Sequence, residues 1–172
     1  MAFPPYISRI GLFTGQAFLL NCALAYLRGH TNIAMISASI YLSTMAHWHN
    51  IKDHGIAKTI DMIVVTHGLI SVTLYESPKF GKQAHDAWTS VVLLVIIFYI
   101  FNSVIVYFQS NKIFIYDTCE KNWTGTYNYL SLSYIPEDAE NREKMHFYTT
   151  LVHVFFLHIL TNVVAIYNVV NF

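Results

Sequence analysis

The sequence predicts an all-α integral membrane protein, a polytopic bundle of about five transmembrane helices with one longer aromatic-rich loop. Two observations lead to this fold class. Of the 172 residues, 55% are hydrophobic and 12% are charged, whereas charged residues make up roughly a quarter of a soluble domain. The apolar residues are also grouped into segments near the roughly 17 to 25 residues that a spanning helix needs. The whole chain, residues 1–172, is expected to form a single transmembrane domain.

The spans are expected at about residues 10–27, 33–49, 59–75, 88–108 and 146–168. The fourth segment is almost unbroken aliphatic and aromatic sequence, while the second and third are shorter and end in polar residues. The last is preceded by acidic residues, and negative charge is favourable at a helix N-terminus.

The loop 109–145 contains Tyr and Trp residues that suit the headgroup region of a membrane. The first part of this loop is rich in residues that favour β-strands, which predicts a hairpin around Thr124-Gly125-Thr126. A structureless loop of this length is unusual in a compact domain, so we expect it to be ordered at the membrane interface or against a partner.

The distribution of Lys and Arg predicts the orientation. With five spans, seven of these residues fall on the side of the N-terminus and three on the other side. Because cytoplasmic loops carry the excess of basic residues, the N-terminus is predicted to be cytoplasmic and the C-terminus to lie across the membrane. The formal net charge is zero, which argues against a nucleic-acid partner. Membrane lipids, with or without partner membrane subunits, are the expected partners.

Ionisable and hydroxyl residues inside these apolar segments are the strongest functional signal. They are Ser43 and His47 on the second segment, Asp61 on the third, and His146, His153 and His158 on the last. Such groups are expensive in hydrocarbon, so they indicate a functional site or a buried polar lock.

Helical spacing predicts which of these side chains share a face. Ser39, Ser43 and His47 are four residues apart and should form one stripe that faces protein. On the third segment, Asp61 shares a face with Gly68, whereas His67 points elsewhere and is expected to reach Ser71.

On the last segment, His146 and His153 are seven residues apart, close to two full turns, and should lie on one side. His158 follows His153 by five residues and is expected to be rotated away. We therefore expect at most two of these three histidines to share one centre unless the helix is distorted.

The run Ser43-Thr44-Met45-Ala46-His47, followed by Asp61 and by histidines on the last span, resembles the CREST superfamily of membrane proteins. This superfamily includes alkaline ceramidases, progestin and adipoQ receptors, and Per-type proteins that remodel GPI lipids. Its members share Ser-x3-His on one helix, Asp on the next and His-x3-His on the final helix of a seven-helix bundle. This chain departs from that pattern in the spacing of its final histidines and in its five spans.

The resemblance implies a zinc site. His47 would be the first ligand and His153 a second, with His146 as a further candidate, while Ser43 and Asp61 would flank the metal-bound water. Zinc takes neutral histidine nitrogens and lowers the pKa of its water to about 7. Asp61 would then accept a proton and Ser43 would stabilise the oxyanion. The implied function is a zinc-dependent lipid amidase or esterase.

Two other classes of function stay open. His67 and His153 can be read as ligands of a b-type haem in a small subunit of a respiratory or photosynthetic complex. A non-catalytic subunit without cofactor also accounts for the composition. In that reading the polar groups join helices, and small residues such as Gly11, Gly15, Ser37 and Ser39 mark close helix contacts.

Overall fold

Helices make up nearly all of the described part of the chain. The structure is a computed structural model that describes residues 5–49, 56–101, 147–148 and 150–172, and the backbone of residues 102–110. Within these ranges every residue except 28–30, Gly81 and Phe172 is helical, which confirms the all-α prediction there. The expected hairpin, most of the expected loop 109–145, and His146 lie outside the described residues.

The described helices are α1 (Pro5–Leu27), α2 (Thr31–His49), α3 (Ile56–Ser71), α4 (Lys82–Ser110) and α5 (Thr150–Asn171). α3 continues through a π-helical turn, Val72–Glu76, and a 3-10 turn, Ser77–Phe80. α5 is π-helical over Val154–Leu160. Gly29 and Gly81 have φ angles of 80° and 91° and allow the chain to reverse between neighbouring helices.

Four of these helices have the length and composition of membrane spans: α1, α3 with its extension, α4 and α5. α2 has 19 residues, but its serine, threonine and histidine side chains make it less apolar than the others. Large apolar side chains such as Phe13 on α1, Leu42 on α2 and Ile97 on α4 are exposed on the outside of the bundle. The chain therefore has the features of an integral membrane protein, with four of the five predicted spans meeting the length and composition criteria.

Close contact between α1 and α2 depends on two glycines. A Cβ atom on Gly11 would lie 2.0 Å from Trp48 Cδ2, and one on Gly15 would lie 2.4 Å from Met45 Cε. The indole ring of Trp48 occupies the space that a side chain on Gly11 would need. Small residues let helix backbones approach each other in membranes, so the expected contacts at Gly11 and Gly15 are confirmed.

The two serines expected at helix contacts differ in their exposure and in their hydrogen-bond partners. Ser37 is buried and accepts a hydrogen bond from Asn21 Nδ2 at 3.0 Å, which joins α2 to α1. Ser39 is exposed and donates to the Met35 carbonyl of its own helix at 2.9 Å. The predicted inward stripe therefore includes Ser43 and His47 and is wrong for Ser39, because a serine can satisfy its hydroxyl on its own helix without facing protein.

We predict that Gly11→Ala destabilises the bundle and that Gly15→Ala destabilises it less. The Trp48 ring is large and buried, whereas the end of the Met45 side chain is flexible and can move aside. Overpacking a helix contact costs about 1 to 3 kcal/mol. Thermal unfolding of both variants in detergent, followed by tryptophan fluorescence, measures the difference. Equal stability of the two variants would contradict the contact described here.

Candidate functional site

Asp61 on α3 accepts two hydrogen bonds from α2. Ser43 Oγ lies 2.8 Å and Thr44 Oγ1 lies 2.9 Å from the same carboxylate oxygen, Oδ1. Asp61 is 3% exposed. A buried carboxylate needs such donors, because an unpaired charge in an apolar bundle is very costly. The expected proximity of Ser43 to Asp61 is confirmed.

The Ser43 hydroxyl has one proton and two acceptors in reach. Besides Asp61, it lies 3.0 Å from the Ile40 carbonyl one turn earlier on α2. Serine side chains in helices often bond to the backbone in this way. Ser43 can therefore turn from Asp61 to Ile40 and keep a hydrogen bond, whereas Asp61 would still hold the bond from Thr44.

His153 and His158 on α5 face each other, with their Nε2 atoms 3.2 Å apart. The prediction that His158 is rotated away from His153 is wrong. In an α-helix, a residue five positions further on is turned by about 140° from the first. The π-helical stretch Val154–Leu160 has i→i+5 hydrogen bonds instead, so the residue five positions on returns to the same side.

The second nitrogen of each ring meets a hydroxyl group on another helix. His153 Nδ1 lies 2.6 Å from the Tyr99 hydroxyl on α4, and His158 Nδ1 lies 2.8 Å from Thr14 Oγ1 on α1. The four side chains form a continuous hydrogen-bonded chain through α4, α5 and α1. We refer to Tyr99, His153, His158 and Thr14 as the histidine chain.

Trp48 connects His47 to the histidine chain. The centroid of its ring is 5.2 Å from that of His47, 5.6 Å from that of His153 and 6.0 Å from that of His158. Its carbonyl accepts a hydrogen bond from Ser8, while its buried Nε1 has no partner among the described residues. His47 is buried as well, so three histidines surround one indole ring.

Electrostatic contacts join the Asp61 centre to the histidine chain. Asp61 is close enough to interact with Tyr99, and Lys58 on α3 is close enough to interact with both His47 and His153. Tyr99 is thus within electrostatic range of the carboxylate and is hydrogen-bonded to His153. The two polar clusters belong to one candidate site.

The structure does not bring the proposed haem ligands together. His67 lies on the exposed face of α3, where its Nε2 is 3.4 Å from Ser71 Oγ, as its spacing predicts. His153 lies within the histidine chain. A pair of haem ligands must face each other across a pocket, and His67 points outward instead.

A complete metal centre is not preformed among the described residues. Nowhere in these ranges do three or more His, Cys, Asp or Glu side chains lie together as a metal-binding group. His153 and His158 present two nitrogens to each other, whereas the described ring contact of His47 is with Trp48. His146, the further predicted ligand, is outside the described residues.

Three hydroxyl residues of the site, and the indole of Trp48, are not identified from the sequence. Of these residues, Thr44 is the one that the sequence indicates most clearly. It directly follows Ser43, and two adjacent hydroxyl residues can both contact a neighbouring helix. Thr14 and Tyr99 carry no motif. Their roles depend on which helices pack beside α5, and this helix arrangement cannot be read from spacing along one helix.

Comparisons of the chain with protein-family models, characterised proteins and solved structures found no match.

We predict that Ser43→Ala destabilises the bundle more than Ser39→Ala does. Both changes remove one hydroxyl from α2, but Ser43 joins α2 to Asp61, whereas Ser39 bonds only its own helix among the described contacts. Hydrogen bonds between membrane helices contribute about 0.6 to 2 kcal/mol. Unfolding in mixed micelles measures the two free energies, and a loss at Ser39 as large as that at Ser43 would argue against the interhelical bond.

Proposed function

We propose that this chain is an integral membrane protein that hydrolyses an amide or ester bond of a lipid, with a zinc ion bound by His153, His158 and His47. The approach of two Nε2 atoms to 3.2 Å carries the proposal. Nitrogen ligands about 2.0 to 2.1 Å from a tetrahedral zinc ion are about 3.3 Å from each other. The spacing of His153 and His158 fits two positions of such a site.

The hydrogen bonds at the Nδ1 atoms of His153 and His158 also support a role of these histidines as metal ligands. A histidine that binds a metal through one nitrogen usually donates its other N–H to a fixed acceptor, which orients the ring. Tyr99 and Thr14 offer oxygen atoms at these positions. A catalytic zinc site has three protein ligands and an open position. We assign the third ligand to His47, which is not grouped with the pair in the described structure and would have to approach it when a metal binds, with His146 as the alternative.

Asp61 is the proposed base. A zinc ion held by these histidines would supply a water molecule with a pKa lowered to about 7. Asp61 would accept a proton from water, while Thr44 keeps its carboxylate in place. Ser43 can leave Asp61 without losing all of its hydrogen bonding, so its hydroxyl is available to stabilise the oxygen that becomes negative during acyl transfer.

The proposed substrate is a lipid because the site lies among helices with the composition of membrane spans. A lipid amide or ester reaches such a site sideways from the membrane, whereas a soluble metabolite would have to cross an apolar surface. This reading agrees with the resemblance of Ser43, His47 and Asp61 to the CREST pattern, which we retain as a proposal.

One observation favours a second candidate, a structural membrane subunit without cofactor. Every ring nitrogen of His153 and His158 already has a hydrogen-bond partner within the histidine chain. A fully satisfied polar network can specify how helices pack. In this case the site stabilises the bundle and no metal is needed.

Metal content separates these candidates. We expect purified protein to contain zinc and to lack the Soret band that a haem would give. His153→Ala and His158→Ala should each lose the zinc, because two remaining ligands hold it far more weakly. His67→Ala is the matched control, since His67 is exposed, and it should keep the metal. Zinc that persists in the His158 variant would contradict the ligand set, and a wild type without metal would favour the structural subunit.

Asp61→Asn should keep the zinc and lose lipid hydrolysis, because the amide preserves the shape of the carboxylate but cannot act as the base. General acid–base catalysis contributes about 10²- to 10⁴-fold to a rate, so we expect a loss in kcat of that order. Metal analysis and a lipid hydrolysis assay on the same sample measure both properties. Unchanged turnover in a zinc-loaded Asp61→Asn variant would exclude Asp61 as the base.

We also propose that the N-terminus is cytoplasmic and the C-terminus lies on the opposite side, as the distribution of Lys and Arg predicts. Epitope tags before Met1 and after Phe172 should differ in protease accessibility in sealed vesicles. Accessibility of both tags from one side would show that the number of spans is even.

A further inference from the structure

The hydroxyl group of Thr14 has a fixed direction. Its proton is donated to the Ile10 carbonyl at 2.8 Å, with the Gly11 carbonyl at 3.3 Å as a longer alternative. Threonine in a helix commonly bonds the carbonyl four residues earlier. With its one proton donated in this way, Thr14 Oγ1 can serve His158 Nδ1, which lies 2.8 Å away, only as an acceptor.

This direction determines where His158 carries its proton. Nδ1 must hold the hydrogen that Thr14 accepts. His158 is 1% exposed, and a charged ring at such a position in a membrane helix is expensive. A neutral imidazole has a single N–H, so Nε2 has a lone pair. This Nε2 is the atom that approaches His153.

We propose that Thr14 is a positioning residue that holds His158 as the Nδ1–H tautomer and keeps its Nε2 available to bind a metal ion. The tautomer follows from the contacts of Thr14 and His158 alone. The ligand role of Nε2 rests on the function proposed above. The two parts of the inference can therefore be tested separately.

His153 is the opposite tautomer, with its proton on Nε2. With His158 Nε2 as the acceptor, the 3.2 Å contact requires a proton on His153 Nε2. His153 Nδ1 then accepts the hydrogen bond from the Tyr99 hydroxyl at 2.6 Å. To bind a metal through Nε2, His153 would have to adopt its Nδ1–H tautomer, with Tyr99 as the acceptor instead of the donor. Thr14 thus prepares His158 for a metal, whereas the tautomer of His153 would still have to change.

Nitrogen NMR of histidine-labelled protein in micelles tests the tautomer, with the His158 signals assigned by their loss in His158→Gln. In wild type we expect a protonated Nδ1 and an unprotonated Nε2. Thr14→Val removes the oxygen and should give a mixture of tautomers. Thr14→Ser keeps the oxygen and should restore the wild-type signals. Thr66→Val, on the exposed face of α3, is the matched control and should leave them unchanged.

Zinc titration of the same samples gives the second readout. Loss of the outer partner of a histidine ligand lowers metal affinity about 10- to 100-fold. We expect this loss in Thr14→Val, recovery in Thr14→Ser and no change in Thr66→Val. A wild type with the expected tautomer but no zinc binding would support the assignment to Thr14 and reject the metal-dependent function.

A folded Thr14→Val variant with an unchanged His158 tautomer would overturn the proposal. If this variant does not fold, the wild-type and Thr14→Ser spectra decide, because a His158 protonated on Nε2 in either protein also overturns it.

Discussion

Polar side chains inside an apolar bundle must find hydrogen-bond partners there, and the helix contacts of this protein follow that requirement. Each of five neighbouring helix pairs has a polar contact between the two helices or their extensions. These contacts are Asn21–Ser37, Ser43–Asp61, Trp88–Thr73, Asn168–Ala84 and Thr14–His158. Apolar packing between helices has no strong directional preference, and lipid tails compete for the same surfaces. The polar contacts therefore fix which faces meet.

The candidate site brings more polar side chains together than the other polar contacts between helices do. Asn21 with Ser37 and Asn168 with Ala84 each join two helices by one bond, and each of these asparagines keeps a buried Oδ1 without a partner among the described residues. The histidine chain instead runs through three helices, and its Tyr99 is within electrostatic range of the buried carboxylate of Asp61. This concentration of ionisable groups distinguishes the candidate site from the single hydrogen bonds that join the other helices.

The sequence predicts the helices and the burial of Asp61, because those properties depend on hydropathy and on spacing along single helices, whereas the proximity of Ser43 to Asp61 is what the family resemblance implies. The hydrogen-bond partners of His153 and His158 cannot be predicted from hydropathy or from spacing along one helix. Thr14 and Tyr99 lie far away in the chain, and only the arrangement of α1 and α4 around α5 brings them to the histidines. The exposure of Ser39 is also not predicted by spacing, since a hydroxyl group can be satisfied on its own helix.

The π-helical stretch of α5 has a consequence for how motifs in such helices are compared. A π-helical turn contains one more residue than an α-helical turn, so it acts as a single-residue insertion that the helix absorbs. His-x4-His across this stretch is therefore equivalent in space to His-x3-His on a regular α-helix. Alignments that require equal spacing along the chain treat the two patterns as different. Angular position around the helix axis is the property that such a motif preserves, and its length in residues can change without moving the side chains apart.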